Sequence, residues 1–217
     1  MKHTLLLLTL LTLGSLSAQK RYQPHLQALE SKAAEYGEVA QTIWSYAELG
    51  YQEEQSSALL QSTLESEGFT IEKGVAGIPT AFLATFGSGG PTVGILAEYD
   101  ALPGLSQKAV PYKISNDGRG GHACGHHLFG TASTEAAIAV KNYLKKSGKK
   151  GTIKLFGCPA EEGGSGKVYM TRAGLFDDLD VALHWHADSK NSAGIRPALA
   201  NKSAKFRFYG IAAHAAG

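Results

Sequence analysis

Only two cysteines are present, Cys124 and Cys158, so at most one disulfide could form and a cysteine-stapled scaffold is excluded. No apolar run reaches the roughly 20 residues that a membrane-spanning helix needs. The longest, Leu5 to Leu16, is only about twelve residues and lies between the basic start Met1-Lys2-His3 and the small residues Ser15-Leu16-Ser17-Ala18. Residues 1–18 therefore read as a secretory signal peptide that is removed after export, to a periplasm or to the exterior. A charge surplus is also missing. The formal net charge is +2, and loss of Lys2 with the leader leaves 20 of the 21 basic residues against 19 acidic ones. That balance predicts neither nucleic-acid binding nor, after cleavage of the leader, membrane binding. Internal repeats and low-complexity tracts are absent as well.

A hydrophobic content of 43% is enough for a packed core, so an ordered domain is expected. Leu26, Leu29, Ala33, Tyr36, Ala40 and Ile43 recur at steps of three and four, the pattern of an amphipathic helix over 26–44. A second helix is expected over 53–67, ended by Gly68. Strands are expected over 69–75, 79–86 and 92–97, separated by glycine-rich turns. Thr92 to Ala97 is nearly continuously apolar, as for a strand covered on both faces, and runs into Glu98-Tyr99-Asp100. A helix over 125–144, a strand over 153–158, a helix over 165–172 and a strand over 179–186 complete the alternation. Lys141, Lys145, Lys146, Lys149 and Lys150 read as the solvated end of the third helix, where cations suit the helix dipole. The whole is an α/β fold: a mixed sheet flanked by helices, with polar chemistry at strand ends along one edge. After Asp188 the pattern changes. Residues 193–198 and 203–209 read as strands of another unit, and about thirty residues are too few for a second stable domain, so the chain reads as cut short within it.

Three short runs concentrate the chemistry. Gly121-His122-Ala123-Cys124-Gly125-His126-His127, Ala160-Glu161-Glu162-Gly163-Gly164 and Leu183-His184-Trp185-His186 hold five of the eight histidines, one cysteine and a carboxylate pair. Thiolate, imidazole and carboxylate are the ligands of zinc and similar divalent ions. Cys124 stands just ahead of a helix, whose dipole favours the thiolate. Three histidines within three residues make ligation a better use of its sulfur than a bridge to Cys158. Adjacent Glu161 and Glu162 point in different directions, so that one could bind metal while the other acts as a base, although a pair of helix-capping acids is the plainer alternative. His184 and His186 share one strand face, and their spacing does not choose between them.

These runs, with Pro159-Ala160-Glu161-Glu162-Gly163, Ala97-Glu98-Tyr99-Asp100-Ala101-Leu102-Pro103-Gly104 and Gly210-Ile211-Ala212-Ala213-His214-Ala215-Ala216, resemble the aminoacylase and carboxypeptidase family of dinuclear metallohydrolases. Within it they are most similar to the amidohydrolase branch, which contains hydrolases of auxin conjugates and of p-aminobenzoyl-glutamate. The resemblance implies two divalent ions, Zn or Mn, held by Cys124, His126, Glu162 and His186, with Glu161 as general base. It implies that His214 reaches a partner's site from a lid domain in a homodimer and stabilises the oxyanion there. Asp100 would support the ligands behind the metal, while His184 and His127 stand where relatives carry other residues. It also implies a catalytic domain over 19–188 and the beginning of a lid and dimerisation domain over 189–217. The family's last histidine ligand lies beyond the lid, so hydrolysis of small amino-acid conjugates is expected of a fuller protein rather than of these residues alone. Dipeptidase or carboxypeptidase action, and plain metal or peptide binding, are the competing expectations.

Overall fold

A computed structural model describes residues 22–116, 118–193, 199–200 and 202–214. The expected leader over 1–18 lies outside the described residues, as do most of the strand expected over 193–198 and the last three residues of the chain. Two compact units are present, Met1–Ala187 and Asp188–Gly217.

In the first unit, a helical stretch over 22–30 leads into α1 (Ala33–Tyr46), followed by α2 (Glu54–Ser66), β1 (Thr70–Lys73), β2 (Phe82–Ser88) and β3 (Thr92–Ala97). After these come the two-residue strands β4 (Leu102–Pro103) and β5 (Gly120–Gly121), α3 (His126–Ser147) and β6 (Gly151–Gly157). A distorted turn, α4 (Glu161–Gly164), then α5 (Gly166–Arg172) and β7 (Val181–Leu183) complete it. Strands β1, β2, β6, β3 and β7 lie side by side in that order. The β1–β2 and β2–β6 pairs are antiparallel, whereas β3 runs parallel to both β6 and β7. The mixed sheet with flanking helices is thus as the sequence pattern predicts.

The period of two along each strand divides the apolar residues between two faces. Phe82, Ala84, Ile95, Ala97, Ile153 and Leu155 pack with Tyr36, Ile43, Leu60, Leu64, Ala137 and Ile138 from α1, α2 and α3. Leu83, Phe156, Cys158 and Met170 form the other cluster, with Leu96, Leu175, Phe176 and Leu179 against it. Both cysteines are free, and Cys158 is a core residue. Among the described residues no helix is long and apolar enough to cross a membrane.

Three expectations need correction. The strand expected to carry both histidines over 179–186 stops at Leu183, so His184 and His186 lie on non-strand backbone beyond it. Residues 203–209 carry no regular structure; a strand is stabilised by a ladder partner, and none pairs with this segment among the described residues. Lys141 is not a solvated lysine. It belongs to the buried face of α3, one turn beyond Ala137 and Ile138, and its ammonium donates to the Glu67 carboxylate and to the Glu67 carbonyl oxygen at 2.9 Å.

That pair makes a prediction. The hydrogen bond from Lys141, helped by Lys32, holds the Glu67 carboxyl below its ordinary 4.5. A depressed folded-state pKa contributes stability above the unfolded value, and the contribution disappears as pH falls through the folded one. Lys141→Met should therefore cost about 1.5–3 kcal/mol at neutral pH, the range for hydrogen bonds to charged groups. The cost should shrink in acid. Urea denaturation of both proteins at pH 7 and pH 3 checks this, and a pH-independent difference would contradict it.

Candidate metal centre

Parallel strands release their chains at the same edge of a sheet, and the chemistry of this protein collects there. Glu98 and Asp100 follow β3, Glu161 and Glu162 follow β6, and His184 and His186 follow β7. Cys124 and His126 arrive from the N-terminus of α3. Gly125 enters that helix at φ 84°, a left-handed conformation in which glycine has no Cβ penalty. One turn into α3, Gly130 lies so near β3 that a Cβ there would meet the Glu98 carbonyl oxygen at 2.6 Å. Helix and strand end can therefore approach closely, which places the His126 ring against Glu98.

His126 is fully buried and divides its two nitrogens between neighbours. Nδ1 lies 2.9 Å from Asp100 Oδ1, and Nε2 faces Glu98 Oε2 at 3.1 Å and Glu161 Oε2 at 3.8 Å. The approach to Glu98 is close without having the direction of a hydrogen bond, so His126 Nε2 and Glu98 Oε2 are both buried atoms lacking a hydrogen-bond partner. Cys124 Sγ lies 3.3 Å from His186 Nε2, and the His126 and His186 rings stand 5.7 Å apart between centroids. Two overlapping groups result: Cys124, His126 and His186, and Glu98, His126 and Glu161, each with ligand atoms within 4.8 Å of one another. Glu162 belongs to neither, although its Oε1 is also buried without a partner.

The donor set fits a divalent cation better than it fits protons. Burial, and then the negative charges of Glu162, Glu161 and Glu98, push the Cys124 thiol up to about 11. This corrects the expectation that the helix dipole makes Cys124 a ready thiolate: burial first and the carboxylates next favour the thiol, and an added positive charge would reverse the balance. Burial would lower the His126 pKa, but Asp100 and Glu98 overcome it and raise it to about 10. A positive charge is thus favoured where His126 Nε2, Glu98 and Glu161 meet. Burial would raise Glu98, yet His126, His184 and Lys167 hold its carboxyl well below the usual range. Glu161 is half-exposed and shifted upward, by burial first and by Glu98 and Glu162 next.

The glutamate loop is tethered from outside. Ala160 N donates to Glu53 Oε1 at 2.8 Å, and Glu162 N donates to Asp100 Oδ2 at 2.8 Å. Asp100 thereby joins the histidine run to the glutamate run. Thr80 Oγ1 donates to the other oxygen of Glu53, which is fully buried. The backbone of the loop is contorted at both ends, with Ala160 at φ 54° and Ser165 at φ 60°, both unfavourable for residues that carry a Cβ.

The remaining histidines separate by environment. His184 Nε2 lies 3.2 Å from Glu98 Oε1, so it touches the carboxylate rather than the Cys124 group. His127 packs against His122 with the rings tilted and their centroids 4.9 Å apart, and stands outside both candidate metal-binding groups. His122 is buried with Nε2 at 3.2 Å from the Ile43 carbonyl oxygen, and burial and His127 press its pKa down to about 4. His214 lies in the second compact unit. Sequence reasoning assigned no part to Glu53, Phe129 or Lys167, and gave Glu98 only its place at the strand end. Phe129 stands edge-on to His184, Trp185 and His186 and steadies the segment after β7. The alternation Glu98, Asp100 after an apolar strand was the available signal for Glu98, since residues two apart share a face.

The family profile described as peptidase family M20/M25/M40 matches residues 94–212, which include Glu98, Asp100, Cys124, His126, Glu161, Glu162, His184 and His186. The chain belongs to this family. One of the subunits of p-aminobenzoyl-glutamate hydrolase from Escherichia coli K12 is 48% identical over 192 residues, covering 87% of this chain and 40% of that protein. The Xaa-Arg dipeptidase of Mus musculus is 33% identical over 202 residues, covering 88% of this chain and 43% of that protein. The crystal structure of a Bacillus subtilis protein described as a dinuclear metal-binding peptidase of the M20 family superposes with a TM-score of 0.61 at 24% identity, covering 71% of this chain and 43% of that one. It shares the fold. The M20 chain thus spans about two-fifths of the length of these curated relatives.

Proposed function

We propose that the protein hydrolyses the amide bond of small N-acyl or aryl-amide amino-acid conjugates, with Cys124, His126, Glu162 and His186 holding two divalent ions and Glu161 moving the proton. The observation that carries this reading is the convergence of sulfur, imidazole and carboxylate atoms, several of them buried without partners, beside a half-exposed glutamate. When bound, zinc or manganese would polarise the scissile carbonyl and acidify water. Glu161 accepts the proton of the attacking water and returns it to the leaving amine. Asp100 fixes the His126 ring through Nδ1 and the Glu162 backbone through its other oxygen. In a homodimer, His214 would serve the partner's site as an oxyanion donor. An exported location completes the reading, consistent with the leader pattern in residues 1–18.

The likeness to p-aminobenzoyl-glutamate hydrolase favours an aryl-amide of glutamate as substrate. The likeness to Xaa-Arg dipeptidase favours a second reading, an ordinary dipeptide. A panel of aryl-amide glutamates, N-acyl amino acids and dipeptides, assayed on the metal-loaded protein in its longest natural form, separates them. We expect kcat/KM to be at least ten-fold higher for the aryl-amide glutamate than for any dipeptide. The reverse order would select the dipeptidase, and no turnover of any member by protein that holds metal would leave a binding role.

A further inference from the structure

Glu98 has the form of a ligand, and the four residues proposed above to hold the metals do not include it. We infer that Glu98 binds one of the two divalent ions directly, through Oε2, beside His126, while Lys167 and His184 hold Oε1. The inference rests on the metal reading of this site and adds a ligand to it.

The carboxylate is 2% exposed and its two oxygens have different surroundings. Oε1 accepts from the Lys167 ammonium and stands 3.2 Å from His184 Nε2. Oε2 has no hydrogen-bond partner and points at His126 Nε2, itself buried and without one. A carboxylate serving only as counter-ion to Lys167 needs one oxygen. Its second oxygen would be expected to find a donor, because an unpaired buried acceptor is costly. Here it is aimed instead at the one nitrogen that His126 keeps free of Asp100, with Glu161 Oε2 completing a set within 4.8 Å. A cation placed between Oε2 and Nε2 satisfies both together, and carboxylate with imidazole is a suitable ligand pair for zinc or manganese, with Glu161 beside it left to move the proton. The supports are also of the kind ligands have. Gly130, having no Cβ, lets α3 come close to the Glu98 carbonyl, and Lys167 and His184 grip the carboxylate from α5 and from the segment after β7.

The experiment is metal analysis after dialysis, with cobalt(II) titration followed through the sulfur-to-cobalt absorption band that reports Cys124. Wild type should hold two equivalents. Glu98→Gln should hold one, with the sulfur band retained. Glu98→Asp, which keeps the charge and the fold but shortens the reach by one methylene, should bind the second ion at least ten-fold more weakly. Lys167→Met removes the grip on Oε1 but no ligand, and should keep two equivalents. Two equivalents of unchanged affinity in both Glu98 variants would overturn the inference, leaving Glu98 as the counter-ion of Lys167. A wild type that binds no metal would overturn the metal reading itself, and this inference with it.

Discussion

Replacing Glu161 by Gln is expected to lower kcat for an amide substrate by about 10²–10⁴-fold, the range supplied by a positioned general base, with metal content unchanged. The substitution conserves size and hydrogen-bonding length and removes only the capacity to take a proton. Glu161 is suited to that role by position: it follows β6 at the functional edge, its carboxylate is 44% exposed, and Oε2 stands 3.8 Å from His126 Nε2. A surface acid would show neither the burial nor the pressure from Glu98 and Glu162 that raises its pKa. Measuring kcat and bound metal on the same preparations gives the decision. Undiminished turnover would remove Glu161 from the mechanism. A loss of turnover accompanied by loss of metal would instead make it a ligand.

Asp100→Ala should weaken metal binding by about 10–100-fold, the usual cost of removing a residue that orients a ligating histidine, and should reduce turnover with it. The reason is the double use of one carboxylate. Oδ1 holds His126 Nδ1 at 2.9 Å, and Oδ2 holds the Glu162 amide at 2.8 Å. Without it the imidazole loses its orientation and the glutamate loop loses a tether. Asp100→Asn should rescue only the second effect in part, because its amide can still accept through oxygen from one neighbour but not from both. Competition for zinc against a chelator of known affinity measures the change. Binding as tight as wild type in Asp100→Ala would show that the packing of α3 alone orients His126.

Much of the centre was readable because the chemistry is clustered in the chain. Cys124 and His126 are two residues apart, and Glu161 follows a strand whose apolar run is plain. The helix over Tyr36, Ala40 and Ile43 was set by a 3.6-residue period. What escaped were relations made only by tertiary packing. Nothing near Glu53 in sequence announces that it will cap Ala160, 107 positions away. The same holds for Lys141, which looks like one of several helix-end lysines until α3 packs it against Glu67. The extent of β7 was misjudged for a related reason. The apolar pattern continues past Leu183, but the chain leaves the sheet to place His184 and His186 around Phe129.

The contorted corner at Ala160 constrains how this chain can vary. A Cβ built on Gly50 would lie 3.0 Å from the Ala160 methyl carbon, and one on Gly164 would lie 2.5 Å from it. Ala160 and Gly164 thus share one small volume with the sequence-distant Gly50, and contacting residues of this kind do not contribute independently. Enlarging any one of them alone is disfavoured, whereas a swap in which one grows as another shrinks can be accommodated. Among related sequences, positions 50, 160 and 164 should accordingly drift as a group, leaving a pattern of paired substitutions around a glutamate that itself stays put.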